Sequence, residues 1–203
     1  VHGVADSGFF STAVDVTATD LTSKISSSWS TNTVNSLSFD SANKVVYLGG
    51  AGAKFVRYNT SVYTAGGTYP TADTGYDLAS KISSFWGVDT YALAFDLANN
   101  AIYLGGYNGK FARYNTTSYT GGGTYPTADT AYDLTSKILS FWGASNNVYT
   151  IVYDSGNKVL YLGGINGKFA RYNTTSYAAG GTYPTADTGY DLTAKVSSFW
   201  STN

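Results

Sequence analysis

The sequence predicts an all-β protein built from stacked antiparallel four-stranded repeats of about 57 residues. The 203-residue chain repeats one pattern three times, and the spacings between its Asp markers are 57, 56 and 58 residues. All 13 acidic residues are Asp, and the missing Glu, Gln and Met are among the better helix formers. Abundant Tyr, Thr, Phe, Val and Gly suit strands and tight turns instead.

The repeat is clearest in a ten-residue segment that begins with Asp and ends with Trp. Its four copies are Asp20–Trp29, Asp77–Trp86, Asp133–Trp142 and Asp191–Trp200. A fixed period of this length is typical of repeat architectures. We therefore predict an N-terminal arm or partial blade, three repeats and a C-terminal partial repeat. Their bounds are 1–19, 20–76, 77–132, 133–190 and 191–203.

Three predicted strands follow this marker in every repeat. The first is an apolar run that ends in Asp, at Val34–Asp40, Tyr91–Asp96 and Val148–Asp154. The second ends in Tyr-Leu-Gly-Gly, at Tyr47–Gly50, Tyr103–Gly106 and Tyr161–Gly164. The third begins with Lys-Phe, at Lys54–Asn59, Lys110–Asn115 and Lys168–Asn173. Bulky Leu93 and Phe95 alternate with Ala92 and Ala94, which predicts a strand covered on both faces, as between two stacked sheets.

Two short turns join these strands into hairpins. The first, Asp40–Asn43 and its equivalents, faintly resembles a calcium loop but lacks the third carboxylate and the terminal Glu. An Asx-stabilised hairpin is the favoured interpretation. The second turn is Asn108–Gly109 or Asn166–Gly167, where a type I′ hairpin needs positive φ at both central positions. Gly52–Ala53 is a weaker form of the same turn in the first repeat.

The fourth element of the repeat has two interpretations. An outer strand at Tyr76–Lys81 and its equivalents, followed by a turn or a single helical turn, is favoured because the serines lower helix propensity. The alternative is a short helix capped by Asp77, since Leu78, Ile82 and Trp86 fall at i, i+4 and i+8. A long loop precedes this element around Pro70, Pro126 and Pro184.

The order of these motifs resembles the blade of a β-propeller. The apolar run, the Asp-x-x-Asn turn, Tyr-Leu-Gly-Gly and Lys-Phe-x-Arg-Tyr-Asn are similar to blades of sensor-type propellers of the two-component-regulator class, and more loosely to kelch and WD-like blades. The resemblance covers about residues 20–200 and implies a fold without a ligand. Propellers typically have about four to eight blades. Three repeats therefore predict an incomplete ring within one chain.

The incomplete ring predicts association through the chain ends. Residues 8–20 resemble the last two strands of a repeat. Because an unpaired strand edge is a template for pairing, this arm is expected to add to a neighbouring chain and to give a ring or a filament. The alternative is that residues 1–19 fold back onto the edge of the first repeat. The apolar residues of the arm are Phe9, Phe10, Val14 and Val16.

The residue types argue against catalysis. His2 is the only His and lies in the predicted arm, which argues against a Ser–His–Asp triad or a His-ligated metal. The absence of Cys argues against thiol chemistry and structural zinc. Most Asp residues recur in every repeat, as turn, cap and pairing residues do. Arg57, Arg113 and Arg171 recur likewise, and we expect them to pair with one of the repeated Asp sets. The sequence thus predicts a non-enzymatic protein without cofactor or metal.

Two repeated sets are candidate sites. The sequons at Asn59, Asn115 and Asn173 could carry N-glycans, although a polar turn at the end of a strand is the favoured interpretation. Loop tyrosines could stack on sugars or form a protein interface, and the alternative is that they pack each loop onto its own blade and the neighbouring blade. These tyrosines are Tyr69, Tyr76, Tyr125, Tyr132, Tyr183 and Tyr190.

Net charge and composition indicate the kind of partner and the location of the protein. The net charge of −1 disfavours nucleic acid, and no apolar run is long enough to insert into a membrane. Val1 in place of Met indicates a mature form or a piece of a longer protein. Abundant Ser, Thr, Asn, Gly and Tyr are typical of secreted or surface-exposed microbial proteins. We predict an extracellular, self-assembling structural protein, with a multivalent carbohydrate-binding, lectin-type propeller as the alternative.

Overall fold

The computed structural model describes residues 20–60, 74–116, 129–174 and 187–198. Strands in these ranges form three antiparallel four-stranded sheets, each with its strands in chain order. Sheet 1 contains β1 (Val34–Asp40), β2 (Val45–Gly50), β3 (Phe55–Asn59) and β4 (Thr74–Asp77). Sheet 2 contains β5 (Thr90–Asp96), β6 (Ala101–Gly106), β7 (Phe111–Asn115) and β8 (Thr130–Asp133). Sheet 3 contains β9 (Val148–Asp154), β10 (Val159–Gly164), β11 (Phe169–Asn173) and β12 (Thr188–Asp191).

Short helices alternate with the sheets. α1 precedes sheet 1, α2 and α3 connect successive sheets, and α4 follows sheet 3. Their bounds are α1 (Thr22–Trp29), α2 (Ala79–Ile82), α3 (Thr135–Trp142) and α4 (Thr193–Val196). Four α-helices thus accompany three sheets in the described part of the chain, with one α-helix before and one after every sheet.

The fourth element of the repeat differs from the prediction. The outer strand predicted at Tyr76–Lys81 is wrong in extent, because β4 ends at Asp77 and a helix begins at Ala79. Asp77 Oδ1 accepts the backbone N–H of Ala79 at 2.8 Å, so the carboxylate supports the first turn of the helix. Leu78 and Ile82 are buried between the sheets, and this burial stabilises a helix of weak intrinsic propensity.

Both predicted turn types are confirmed. Asp40 Oδ1 accepts the N–H groups of Ala42 and Asn43 at 3.0 Å, and Asn43 Nδ2 donates to Oδ2 at 2.7 Å. Asn99 and Asn157 donate to Asp96 and Asp154 in the same way in the other two repeats. In the second turn, Asn108 and Gly109 have φ of 55° and 71°, as a type I′ turn requires.

Sheet 2 is covered on both faces, which confirms the prediction for β5. We call each contact between successive sheets a junction. Junction 1–2 buries Tyr47, Phe55, Leu93 and Tyr114. Junction 2–3 buries Tyr103, Phe111, Ile151 and Tyr172. Sheets 1 and 3 each use one face in these junctions, so the ring of sheets is open within the described residues. The fold is β-propeller-like with an incomplete ring, as predicted.

Candidate association interfaces at the two ends of the sheet stack

Aromatic rings fill both junctions in the same arrangement. At junction 1–2, the ring centroids of Phe55 and Tyr114 are 5.2 Å apart and the ring planes meet at 78°. At junction 2–3, Phe111 and Tyr172 repeat this geometry at 4.9 Å and 78°. Edge-to-face aromatic pairs of this kind contribute about 0.5–1.5 kcal/mol beyond the area that they bury. The two junctions are therefore copies of one interface.

A buried carboxylate accompanies each aromatic pair. Arg113 Nη1 lies 3.6 Å from Asp187 Oδ2 with both side chains fully buried, which confirms the predicted pairing of a repeated Arg with a repeated Asp. Tyr172 donates its hydroxyl to the same Asp187 oxygen at 3.1 Å. Burial, followed by the negative charge of Asp187, raises the pKa of Tyr172. Tyr114 donates to Asp129 Oδ2 at 2.6 Å in the equivalent place.

One helix occupies each junction and contacts both sheets. At junction 2–3, the N–H of Leu134 donates to the carbonyl oxygen of Phe111 at 2.8 Å, which attaches the helix to the preceding sheet. At its other end, the Trp142 ring packs on Gly164 of the following sheet, where an added Cβ would lie 2.6 Å from the ring. Leu78 and Trp86 make the same contacts at junction 1–2. The second Gly of the pair that ends each second strand thus makes room for the Trp ring.

Sheet 1 exposes the face that the other sheets bury. Leu37 is 60 % exposed, whereas its counterparts Leu93 and Ile151 are each 7 % exposed. Leu21, just before α1, is 38 % exposed, and its two counterparts in the junction helices are fully buried. We call this surface the leading face. It consists of Leu21, Val34, Leu37 and Phe39.

Sheet 3 exposes the opposite face. Val152 is 60 % exposed, whereas its counterpart Ala94 is 7 % exposed. Tyr161 and Phe169 are only partly buried, although the equivalent residues of sheets 1 and 2 are completely buried. We call this surface the trailing face. It consists of Val152, Tyr161, Gly163, Phe169 and Arg171.

A glycine also marks each internal junction. A Cβ added at Gly105 would lie 2.5 Å from Val148 of the next sheet, so the glycine leaves space for the valine. Gly49 leaves space for Thr90 in the same way. At Gly163 the only described atom within 4 Å of an added Cβ is the methyl Cγ2 of Thr150 of its own sheet, at 2.6 Å. No described residue of another sheet therefore contacts Gly163, and Val34 is the exposed residue of the leading face at the position of Thr90 and Val148.

The predicted aromatic site is only partly described. The guanidinium of Arg57 lies over the Tyr76 ring at 5.1 Å, and that of Arg171 lies over the Tyr190 ring at 5.0 Å. Tyr132 packs against the core of junction 2–3. These three contacts favour the alternative in which the rings pack onto their own blades. The other members, Tyr69, Tyr125 and Tyr183, lie outside the described residues.

The sequon residues lie at strand ends. Asn59 and Asn115 are buried, and Asn173 is partly buried. Glycosylation of these residues stays a prediction. The predicted arm residues Phe9, Phe10, Val14 and Val16 lie outside the described residues.

The described ranges contain neither a candidate metal site nor a helix that could span a membrane. No group of three or more His, Cys, Asp or Glu side chains there is placed to hold a metal ion. No helix among those residues has the length and apolar character that crossing a bilayer requires.

The two end faces were not predicted from the sequence, because the apolar residues of the N-terminal arm were expected to provide the association site. The signal that could have found them is repeat position. A residue that is buried between two copies of a repeat loses its partner in the first or the last copy. Leu37 and Val152 are identified as end-face residues by this comparison alone.

The stacked four-stranded sheets define a β-propeller-like repeat protein. No family model matches the chain, and no curated protein matches it. The chain is similar to the WD40 β-propeller domain of Doa1, with a TM-score of 0.43 and 10 % identity over 70 % of this chain and 38 % of that one. It is also similar to the β-propeller domain of Myceliophteria thermophila Cps50 (Swd1), with a TM-score of 0.43 and 11 % identity over 78 % of this chain and 57 % of that one.

A third similar structure is LS24, a seed albumin from Lathyrus sativus. Its TM-score is 0.34 at 9 % identity, over 80 % of this chain and 93 % of that one. The alignments span 38 % of the Doa1 domain and 57 % of the Cps50 domain, which is less than two thirds of either.

Proposed function

We propose that this chain is a non-enzymatic structural repeat protein that associates with itself through its leading and trailing faces. The observation that supports this proposal is the contrast in burial between equivalent residues. Leu37 and Val152 are 60 % exposed where their counterparts inside the stack are almost completely buried. Contiguous apolar surface of this kind is typical of protein interfaces.

The proposed role is architectural and extracellular, as a component of a surface layer or fibre. Its composition, rich in Ser, Thr, Asn, Gly and Tyr, supports this setting. Repeated Asp residues serve in turns and in the buried pairs of the junctions, which supports a structural role for the carboxylates. We further propose that the blades are of the sensor type, on the motif order described above.

The alternative function, multivalent carbohydrate binding, depends on residues that are mostly outside the described ranges. Tyr190 is exposed but stacks with Arg171, and Tyr76 stacks with Arg57. Binding to a glycan array that is lost when Tyr125 and Tyr183 are changed to Ala would support this alternative over the architectural role.

The test of self-association is the mass of the chain in solution. Light scattering coupled to size exclusion is expected to give a mass above 21.5 kDa that depends on concentration. Leu37→Asp is expected to restore the single-chain mass, because it places a charge on the leading face. Leu97→Asp is the matched control, since Leu97 is similarly exposed (52 %) but lies in the turn after β5. A wild-type chain that stays monomeric at all micromolar concentrations would contradict the proposal.

A further inference from the structure

We infer that the trailing face binds the leading face of a second copy of this chain, with α1 of that copy in the helix position of the new junction. Two chains then close into one ring of six sheets. This inference rests on the proposed self-association and adds the partner, the register and the helix that must move. Its basis is the equivalence between the two end faces and the two sides of each internal junction.

The register follows from the internal junctions. Gly49 and Gly105 receive Thr90 and Val148 from the following sheet. Gly163 holds the equivalent position on the trailing face, beside the Thr150 methyl of its own sheet, and Val34 is the equivalent of those two residues on the leading face. Gly163 of one copy is therefore expected to face Val34 of the other.

The two end faces together bring two helices, α1 and α4, to a junction that has room for one. Each internal junction holds one helix, whereas a new junction would bring together α4 of one copy and α1 of the next. α1 is firmly seated on its own sheet, because Ile25 and Trp29 are buried against Val56 and Tyr58. α4 is a single turn in which no described residue is buried. The less firmly seated α4 leaves, and α1 takes its place.

Leu21 is the residue that would become buried when α1 docks in the new junction. Its counterparts Leu78 and Leu134 are fully buried against the preceding sheet, and Leu21 is exposed because sheet 1 has no preceding sheet within the described residues. Docking on the trailing face of a second copy would bury Leu21. It follows that Leu21 contributes to association, whereas Val196 of α4 does not.

Stoichiometry follows from the number of sheets. The three described sheets of each chain give six in two chains and nine in three chains. Propellers close with about four to eight blades, so two chains is the one multiple of this chain that fits. A head-to-tail contact between two copies is used twice in such a ring, and both end faces are covered.

The first experiment traps the register with cysteines. The chain contains no Cys, so V34C/G163C introduces the only thiols. Under oxidation, this double variant is expected to run as a covalent two-chain species on a non-reducing gel. V34C alone and G163C alone are expected to stay single chains, because each residue meets the other and not itself. A ladder of larger species would overturn the closed ring in favour of a filament. Absence of any cross-link in a chain that still associates would overturn the register while leaving the proposed function intact.

The second experiment tests the helix exchange. Leu21→Asp is expected to weaken association at least about 10-fold, because it buries a carboxylate at the junction. Leu139→Asp is the matched control, since Leu139 is comparably exposed on α3 but lies outside both end faces. Val196→Asp is expected to leave association unchanged or to strengthen it. Weakening by Val196→Asp to the same degree as by Leu21→Asp would show that α4 stays in the junction and would overturn the exchange. A wild-type chain that is monomeric throughout overturns both this inference and the proposed function.

Discussion

The pair between Arg113 and Asp187 offers the sharpest test of how the junctions are stabilised. Arg113 is on β7 of sheet 2, and Asp187 immediately precedes β12 of sheet 3. Both side chains are fully buried, and the charged atoms are 3.6 Å apart. Asp187→Asn keeps the size of the side chain and removes its charge, so the buried guanidinium loses that carboxylate without a cavity being formed.

The expected loss can be worked from this geometry. Two unit charges 3.6 Å apart attract by roughly 5 kcal/mol at an effective dielectric constant of about 20. Desolvation of both charges offsets much of that attraction in the wild type, and in Asp187→Asn the cost of burying the guanidinium remains without the carboxylate to offset it. Breaking a buried pair in this way costs about 3–5 kcal/mol. We expect Asp187→Asn to lower the free energy of unfolding by that amount.

Urea unfolding followed by Trp fluorescence measures this loss, because Trp29, Trp86 and Trp142 are all buried. The matched control is Asp191→Asn, which changes an exposed carboxylate and is expected to cost under about 1 kcal/mol. A double-mutant cycle with Arg113→Met isolates the coupling between the two charges. A loss no larger than that of the control, or coupling below about 0.5 kcal/mol, would refute the reasoning.

Three further predictions follow from the same structure. Gly105→Ala is expected to cost about 1–3 kcal/mol in urea unfolding, because its Cβ would lie 2.5 Å from a methyl of sheet 3. Gly87→Ala, with no described atom within 4 Å of the added Cβ, is expected to be neutral. Ala53→Gly is expected to raise the free energy of unfolding by about 0.5–1 kcal/mol, because Ala53 has a φ of 60° that glycine adopts without strain. Burial, and then the nearby Asp96 carboxylate, raise the pKa of Tyr153 from 10.0 to about 12. The unfolded chain releases the Tyr153 proton at a lower pH than the folded chain does, so the free energy of unfolding is expected to fall as the pH rises from 10.0 to about 12. Tyr153→Phe is expected to make this fall smaller. Urea midpoints measured as a function of pH would show the difference.

The strands and turns could be predicted because their determinants are local. An Asp followed three residues later by Asn provides its own hydrogen bonds, as Asp40 and Asn43 show. Asn108 and Gly109 tolerate positive φ wherever they occur, so the hairpin type follows from the two residues alone. Large and small apolar side chains alternate along β5, and successive side chains of a strand point to opposite faces of the sheet. The alternation therefore predicted that both faces of this strand are covered.

The fourth element could not be predicted with the same certainty because its structure depends on tertiary burial. The segment after Asp77 has weak helix propensity, and only packing of Leu78, Ile82 and Trp86 between two sheets makes the helix stable. The helix length also varies between copies, from one turn in α2 to two turns in α3. Neither the depth of burial nor this variation is encoded in the repeat motif itself.

The repeat places each interface residue in two environments within one chain, inside a junction or on an end face, and this separates stability from the proposed association. Leu93 and Leu37 have the same side chain at the same repeat position, but one lies inside a junction and the other on an end face. A substitution at Leu93 is therefore expected to destabilise the fold, whereas the same substitution at Leu37 is expected to act mainly on the proposed association. If the end faces had evolved only as solvent-exposed surface, their apolar residues would serve no purpose. Leu37, Phe39 and Val152 are instead apolar at the positions where a further sheet would cover them. That correspondence, rather than exposure as such, is the reason to expect a sheet of the same kind as the partner of each end.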